Sequence, residues 1–291
     1  YSAMAERVVA VLGAKGMLGT DLCDVLRGRG YGVRAFDLPE FDITDDEQLA
    51  QATASAPIIV NCAAYTNVDG AESETETAHR VNAEAAGRLG RYAAGQDAWV
   101  LHVSTDFVFD GTLDRPYTET DAPHPINEYG RSKLAGESLL AQSGCRHCII
   151  RVEWTYGQAG NNFVSKLLGR AEAQESLNVV DDQVGSPTAT TEVAAAISEL
   201  VARRPEGLFH FAADGYVSRF DMARFVLDLA GSDVDLRPCR TSDYESPAAR
   251  PLNSRFDCTR IAEFLSRQIR PWQEPLADFV ECRCTGTGRT T

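Results

Sequence analysis

The sequence predicts an α/β fold, a doubly wound parallel sheet followed by a smaller C-terminal α/β region. Apolar, strand-like runs alternate with helical patterns from residue 7 to residue 152, the order typical of such sheets. The alternation becomes irregular beyond residue 155. A chain of 291 residues also exceeds the usual size of a single hydrophobic core. We therefore expect two associated domains.

The first half of the chain supplies most of the predicted sheet. Residues 7–12 (RVVAVL) are a continuous apolar run, which is typical of a strand buried on both faces. Glycines follow, and a helical pattern then runs from Met17 to about Gly30. The same patterns predict strands at 33–36, 57–61, 98–103 and 147–152, and helices at 45–55, 75–95 and 128–142.

The second half predicts helices at 161–174, 189–203, 218–230 and 259–267, with a short strand at 207–211. A first domain should therefore cover residues 4–155, and residues 189–213 should return to it. Residues 156–188 and 214–285 should form the second domain. Its last segment, with Cys282 and Cys284, is rich in Gly and Thr and is predicted to be frayed.

Charge and hydropathy exclude two classes of partner. The chain has 28 basic and 42 acidic residues, a net charge of −14, and such a surface repels nucleic-acid phosphates. No apolar run is long enough to span a membrane, and no secretory signal pattern is present at the start. We expect a soluble, cytoplasmic protein that binds neither nucleic acid nor membranes.

The cysteines and histidines do not predict a metal site. The eight cysteines are too scattered for a disulfide scaffold in a chain of this length, and the five histidines lack metal-binding spacing. Cys145 and Cys148 form a single CxxC with no second pair nearby, which we interpret as part of the start of a strand.

A glycine-rich loop joins the first strand to the first helix. It has the spacing GxxGxxG and covers Gly13, Lys15, Gly16, Met17, Leu18 and Gly19. Glycines also occur in ordinary β–α turns. Here, however, they lie where backbone N–H groups and a helix N-terminus would bind a pyrophosphate. The loop therefore predicts a Rossmann dinucleotide-binding domain in the first half of the chain.

Asp37 lies at the end of the second predicted strand, where an acidic side chain can accept hydrogen bonds from the adenosine ribose. A carboxylate there repels a 2′-phosphate, so this position favours NADH and leaves NADPH possible. The alternative is a solvated aspartate in a turn.

Two segments contain candidate catalytic residues. Thr105 and Asp106 follow the fourth predicted strand at the carboxyl edge, where open α/β sheets bind ligands. Tyr129 and Lys133 form a YxxxK at helical spacing, so both project from one helix face. A free tyrosine has a pKa of about 10, and a nearby ammonium group would stabilise its phenolate. This set resembles the extended short-chain dehydrogenases/reductases.

The match extends to a narrower family. Blocks along nearly the whole chain resemble dTDP-4-dehydrorhamnose reductases, in that family's order. They are residues 60–72 (VNCAAYTNVDGAE), 104–111 (STDFVFDG), 129–137 (YGRSKLAGE), 154–157 (WTYG), 160–163 (GNNF), 182–188 (DQVGSPT) and 250–254 (RPLNS).

The resemblance implies NAD(P)H-dependent reduction of the C4 ketone of dTDP-4-dehydro-β-L-rhamnose, the last step in making dTDP-L-rhamnose. It implies that Tyr129 donates the proton, that Lys133 tunes it and holds the nicotinamide ribose, and that Thr105 hydrogen-bonds the ketone. Asp106 would contact the sugar and Trp154 would pack on it.

The resemblance also assigns further binding residues. Those for the cofactor are Asp42 and Ile43 near the adenine, together with Ala63, Ala64, Tyr65 and Val103. Asn162 and Arg250 would face the nucleotide, with Arg250 on the diphosphate. Each has a structural alternative: Trp154 as a core residue, Asn162 as a helix cap and Arg250 as a solvated or structural arginine.

The chain departs from the family pattern at two positions. Phe107 replaces a common tyrosine, and Glu153 stands where a small Ser or Thr is usual, so Glu153 could alter sugar recognition. Related dehydratases carry a glutamate at the position of Phe107, which argues against dehydration. The acidic residues that bridge some family dimers through a metal have no clear match here, so no metal is predicted and a homodimer is left open.

Two alternative functions remain. The first is a 4-ketoreductase for another dTDP-deoxysugar, because sugar choice depends on a few pocket contacts. The second is a non-catalytic NAD(P)-binding regulatory subunit, since the regulatory subunit of methionine adenosyltransferase resembles these reductases.

Overall fold

A computed structural model describes residues 7–286, with side chains up to residue 283. Its strands are β1 (Val8–Leu12), β2 (Gly32–Phe36), β3 (Ile58–Asn61), β4 (Trp99–Thr105), β5 (Arg146–Val152), β6 (Thr155–Tyr156), β7 (Ser176–Val180), β8 (Val184–Gly185), β9 (Thr188–Ala189), β10 (Gly207–Phe211), β11 (Val217–Ser218) and β12 (Asp235–Cys239).

The helices flank these strands along the chain. They are α1 (Met17–Gly28), α2 (Asp46–Ala54), α3 (Val68–Ala71), α4 (Thr75–His79), α5 (Ala85–Ala94), α6 (Glu128–Ala141), α7 (Phe163–Ala173), α8 (Thr190–Arg203), α9 (Arg219–Leu229), α10 (Thr259–Leu265) and α11 (Gln273–Gly286). A π-helical segment, Arg80–Glu84, joins α4 to α5, so the predicted helix at 75–95 is interrupted at its centre.

A six-stranded parallel sheet forms the centre of the molecule, in the order β10-β5-β4-β3-β1-β2. This confirms the predicted doubly wound α/β class. β10 comes from the second half of the chain and pairs with β5, while α8 packs on α1. Part of the second half therefore completes the central sheet. The domain boundaries themselves stay a prediction.

Both faces of the sheet are buried, as the apolar run of β1 predicts. Val9 and Val11 face a core shared with α1, α8 and α10, whereas Ala10 and Leu12 face a second core shared with α2, α5 and α6. Successive residues of a strand point to opposite faces, so a strand between two helical layers must be apolar throughout.

The remaining strands form three two-stranded sheets. β7 pairs with β12 and β6 with β9, both in parallel, and β8 pairs with β11 in antiparallel orientation. Together with α7, α9 and α11 they surround a third apolar core that contains Val226, Trp272 and Leu276. This core lies beside the carboxyl edge of the central sheet.

The predicted frayed tail is wrong over its described part. Residues 273–286 form α11, because Leu276, Phe279 and Val280 bury an apolar face in the third core. Pro275 lies in the first turn, where a missing N–H leaves no intrahelical bond unmade. Cys282 is exposed on this helix, and the side chain of Cys284 lies outside the described residues.

Residues 7–286 contain neither a membrane-spanning helix nor a metal-binding cluster. No helix there combines the length and the apolar character that crossing a membrane requires. No group of three or more His, Cys, Asp or Glu in this part of the chain is arranged to hold a metal ion.

Candidate active site

The glycine loop is packed so closely that side chains would not fit. A Cβ atom on Gly13, which has φ +78°, would lie 2.6 Å from Ala63 N, and one on Gly19 would lie 2.0 Å from Gly13 O. Gly16 is the N-cap of α1 and provides no side-chain cap, so the first-turn N–H groups remain available to a ligand. Met17 and Leu18 begin the helix. This loop fits a dinucleotide pyrophosphate.

Asp37 connects the end of β2 to the glycine loop. Its carboxylate accepts hydrogen bonds from the backbone N–H groups of Lys15 (2.6 Å) and Leu38 (2.8 Å). The Lys15 ammonium donates to Glu40 Oε2 at 2.6 Å, on the exposed surface. Two carboxylates and one ammonium leave this corner with a net negative charge, which disfavours a 2′-phosphate.

Asp42 and Ile43 follow on the same side. Asp42 accepts hydrogen bonds from the backbone and hydroxyl groups of Thr44, both at 2.8 Å. Ile43 is buried in the core on the α2 side of the sheet. The structure therefore gives Ile43 a packing role, whereas Asp42 is at the surface.

The segment after β3 is tied to the helix with the YxxxK motif. Ala63 and Ala64 follow the strand, and Tyr65 exchanges two backbone hydrogen bonds with the Asn82 carboxamide. The Asn82 amide also donates to Ser132 Oγ at 2.9 Å. Sequence reasoning missed Asn82. The sequence shows a polar residue in an Ala-rich segment, but only the structure shows that this residue is buried and therefore needs hydrogen-bond partners.

Lys133 and Tyr129 project from the first two turns of α6. Asn127 caps this helix by accepting a hydrogen bond from Gly130 N at 2.7 Å. Lys133 is 2 % exposed, and its ammonium donates to Val103 O at 2.7 Å. Burial lowers the pKa of Lys133 to about 8, with Glu137 opposing the shift.

The expected lowering of the Tyr129 pKa is absent from this structure. Burial and the negative charge of Asp106 raise the pKa of Tyr129 to about 12, and a hydrogen bond with Thr105 opposes them. The reason is that the Lys133 ammonium is directed at Val103 O. Thr105, Tyr129 and Lys133 nevertheless meet at the carboxyl end of β4, as predicted.

Asp106 and Glu153 are two buried carboxyl groups behind this site. Asp106 accepts hydrogen bonds from Ser254 Oγ (2.5 Å) and Thr105 Oγ1 (3.1 Å). Glu153 accepts from the backbone N–H groups of Ser186 (2.9 Å) and Phe256 (3.2 Å). Burial raises the pKa of both groups. Glu153 thus holds two loops together, and it is not among the residues that line the adjoining cavity.

A cavity of about 470 Å³ adjoins this site through Phe107, which is one of its lining residues. Phe107 contacts the Tyr129 ring edge-on, with centroids 5.5 Å apart, and lines the cavity together with Trp154, Phe163, Gln183, Arg219 and Arg250. Trp154 has φ +45°, and a Cβ on Gly185 would come within 2.6 Å of its ring. The structure therefore fixes Trp154 at the cavity wall.

The predicted nucleotide residues have internal partners. Asn162 caps α7 by accepting from Ser165 N at 3.0 Å, and its amide donates to Gly157 O at 2.9 Å. Arg250 lines the cavity but forms a two-point ion pair with Asp69, at 3.0 and 2.9 Å. The helix-cap and structural alternatives therefore describe the side-chain contacts of both residues.

Sequence reasoning also missed Arg219. Its guanidinium carbon lies 3.4 Å from the centroid of the Trp154 ring and 5.0 Å from that of Phe163. An arginine at the start of a helix has no sequence signature that would distinguish it from a solvated one.

The chain is similar to proteins of one family. A family model described as the RmlD substrate binding domain matches residues 7–283. The dTDP-4-dehydrorhamnose reductase of Mycolicibacterium smegmatis is 39% identical over 282 residues, which are 95% of this chain and 86% of that protein.

Two solved structures have nearly the same backbone. The dTDP-4-dehydrorhamnose reductase of Clostridium acetobutylicum superposes with a TM-score of 0.91 at 32% identity, covering 95% of this chain and 99% of its own. That of Bacillus anthracis, in complex with NADP, has a TM-score of 0.90 at 34% identity, covering 94% and 98%.

Proposed function

The chain belongs to the dTDP-4-dehydrorhamnose reductase family, and on this premise we propose that it reduces the C4 ketone of dTDP-4-dehydro-β-L-rhamnose with NAD(P)H, giving dTDP-L-rhamnose. The observation that carries the proposal is the convergence of Thr105, Tyr129 and Lys133 beside the cavity. The reaction would take place in the cytoplasm, where dTDP-sugars and reduced nicotinamide cofactors are available.

The cofactor would bind along the carboxyl edge of the sheet. Its pyrophosphate would lie on the α1 N-terminus, and Lys133 would hold the nicotinamide ribose. The close packing of Gly13 and Gly19 and the uncapped first turn of α1 support this arrangement. When bound, the cofactor supplies the hydride for the sugar ketone. The negative corner formed by Asp37 and Glu40 favours NADH over NADPH.

The reaction requires one proton at the ketone oxygen. Tyr129 would donate it, and Thr105 would hold the same oxygen by a hydrogen bond. The pKa of Tyr129, about 12, keeps the phenol protonated at neutral pH and ready to act as an acid. To stabilise the phenolate left behind, the Lys133 ammonium would have to turn from Val103 O towards Tyr129.

The sugar and nucleotide would occupy the cavity. Trp154 would pack on the sugar. Asp106, which accepts a hydrogen bond from the Thr105 hydroxyl, would contact the sugar next to Thr105. Asn162 would shape the nucleotide end through its cap of α7, because both ends of its carboxamide already have partners. Arg250 would help to define this wall while it remains paired with Asp69.

The alternative substrate is another dTDP-linked 4-keto sugar, and the alternative function is a non-catalytic NAD(P)-binding regulatory subunit. For either function, a homodimer stays a proposal. Buried Lys133 disfavours the second alternative, because a buried ammonium costs stability and a purely structural subunit has no need of it.

The test supplies the full chain with enzymatically prepared dTDP-4-dehydrorhamnose and either NADH or NADPH. Oxidation of the cofactor is monitored by the loss of reduced-nicotinamide absorbance, and the product is identified by chromatography. We expect oxidation that depends on the keto sugar and yields dTDP-L-rhamnose. Turnover only with a different dTDP-hexulose would identify the alternative substrate. Cofactor binding without turnover of any of these sugars would contradict a reductase function.

A further inference from the structure

We infer that Arg219 is the cationic anchor for the diphosphate of the nucleotide sugar, an inference that rests on the proposed function. The family resemblance implied this task for Arg250. Both arginines line the same cavity, but only Arg250 has a carboxylate partner in the described part of the chain. These contacts favour Arg219 as the diphosphate ligand and a structural role for Arg250.

Arg250 is already neutralised. Its guanidinium meets both oxygens of Asp69, and it also donates to Ala248 O at 2.8 Å. The ion pair holds the pKa of Asp69 below its usual value, so the carboxylate stays charged at neutral pH. A phosphate would therefore have to displace this partner before it could bind Arg250 in the two-point geometry that arginine prefers.

Arg219 has no such partner among the described residues. No carboxylate in residues 7–286 lies within 4.0 Å of its guanidinium, and its ordered contacts there are the Trp154 and Phe163 rings. A guanidinium stacked on an aromatic face keeps its N–H groups in its own plane, directed away from the ring. Those donors remain free to bind an anion in the cavity.

The backbone fixes this side chain in position. Arg219 is the first residue of the eleven-residue helix α9, and its backbone N–H donates to Gln183 O at 3.0 Å. Ser218 caps the helix by accepting from Asp221 N at 3.0 Å. The positive end of the helix dipole thus adds to the guanidinium charge at the cavity wall.

The surrounding charges keep Arg219 charged without neutralising it by direct contact. The negative charges of Asp106 and Glu153 favour the charged form of Arg219, whereas the positive charge of Arg250 opposes it. Burial lowers the pKa of Arg219 to about 10, so it is still a cation at neutral pH. Arg219 therefore presents a positive charge at the cavity wall that no directly paired carboxylate of the described segment cancels, whereas the charge of Arg250 is paired with Asp69.

The test is titration of the full chain with dTDP and, separately, with thymidine, in the wild type and in Arg219→Met. Charge-assisted hydrogen bonds of this kind predict that the variant binds dTDP about 10- to 100-fold more weakly. Thymidine and NADPH, which do not meet this guanidinium, should bind as before. Arg224→Met, which removes an exposed arginine from the same helix, is the matched control and should change none of these affinities.

Three results would overturn the inference: dTDP affinity within about twofold of wild type, equal weakening of dTDP and thymidine, or a wild type that does not bind dTDP. Equal weakening would mean that Arg219 only supports Trp154 or balances Glu153. If Arg219→Met fails to bind NADPH, the variant Arg219→Lys is titrated in its place. Weaker binding of dTDP alone by Arg219→Lys supports the inference, and an unchanged dTDP affinity overturns it. Selective loss of dTDP binding without wild-type turnover would instead count against the proposed function alone.

Discussion

Tyr129 retains its proton at physiological pH, because burial and the negative charge of Asp106 raise its pKa to about 12. Lys133 keeps a neighbouring positive charge within the same helix face while donating to Val103 O. At the scale of single residues, the proposed chemistry depends on this pair, with Tyr129 as the proton donor and Lys133 as the neighbouring cation.

Replacing Tyr129 by Phe should lower kcat by about 10²- to 10⁴-fold, because the ring and its contact with Phe107 remain while the proton donor is lost. Titration of cofactor binding and thermal unfolding should both match the wild type. Activity retained by a folded Tyr129→Phe protein would exclude this tyrosine as the acid.

Asp37→Asn should shift cofactor preference towards NADPH, raising the ratio of kcat/KM for NADPH to that for NADH roughly tenfold. The amide oxygen can still accept the hydrogen bond from Lys15 N, so the loop should stay in place while one negative charge is removed. Asp24→Asn, on the exposed face of α1, is the control. An unchanged ratio would mean that Asp37 acts only on the loop.

At the scale of elements, helix α6 is held to the sheet by a buried ion pair. Arg151 of β5 meets both oxygens of Glu137, at 2.9 and 2.6 Å, and the two side chains are only 4% and 7% exposed. Glu137 lies one turn beyond Lys133 on the same helix, and its negative charge raises the Lys133 pKa against the effect of burial. The ion pair therefore affects both the position and the charge of the lysine.

Glu137→Gln should move the basic limb of the kcat–pH profile to lower pH, by roughly one unit. Removing this negative charge lowers the Lys133 pKa further below about 8, so the ammonium is lost earlier as pH rises. Glu206→Gln, which breaks an exposed pair with Arg146 at the start of β5, should leave the limb in place. A uniform loss of kcat at every pH would indicate a structural role alone.

Elements with strong periodicity could be predicted from the sequence, and α11 could not. The six central strands and helices such as α1 and α6 follow from apolar patterns and glycine spacing. α11 was missed because Pro275 and the Gly and Thr residues near its end obscure an apolar face that becomes evident only against the third core. The two-residue strands depend on tertiary pairing, which no local pattern encodes.

The same limit applies to the site. The i, i+4 spacing alone predicts that Tyr129 and Lys133 lie on one helix face, and the position of Thr105 at a strand end predicts that it lies at the ligand-binding edge of the sheet. Arg219 and Asn82 could not be found in this way, because their partners are distant in the sequence. The partners of Asn82, for example, lie 17 and 50 positions away.

 The Arg219 guanidinium stacks on Trp154, and the Asn82 carboxamide bonds Tyr65 and Ser132, so both roles exist only in the folded chain.

At the scale of the whole molecule, the site lies where three packed units meet. The central sheet supplies the glycine loop and Thr105, α6 supplies Tyr129 and Lys133, and the third core supports the cavity wall that carries Trp154. Glu153 connects these units through the backbone N–H groups of two loops.

The most direct test of this account is isotope transfer from the cofactor to the sugar. The full chain would be supplied with dTDP-4-dehydrorhamnose and NADH deuterated at the transferable position of nicotinamide C4, and the product would be analysed by NMR and mass spectrometry. The account predicts dTDP-L-rhamnose with a single deuterium on the sugar C4. A reduced product with no deuterium at C4, or with the label at another carbon, would contradict hydride delivery to the C4 ketone.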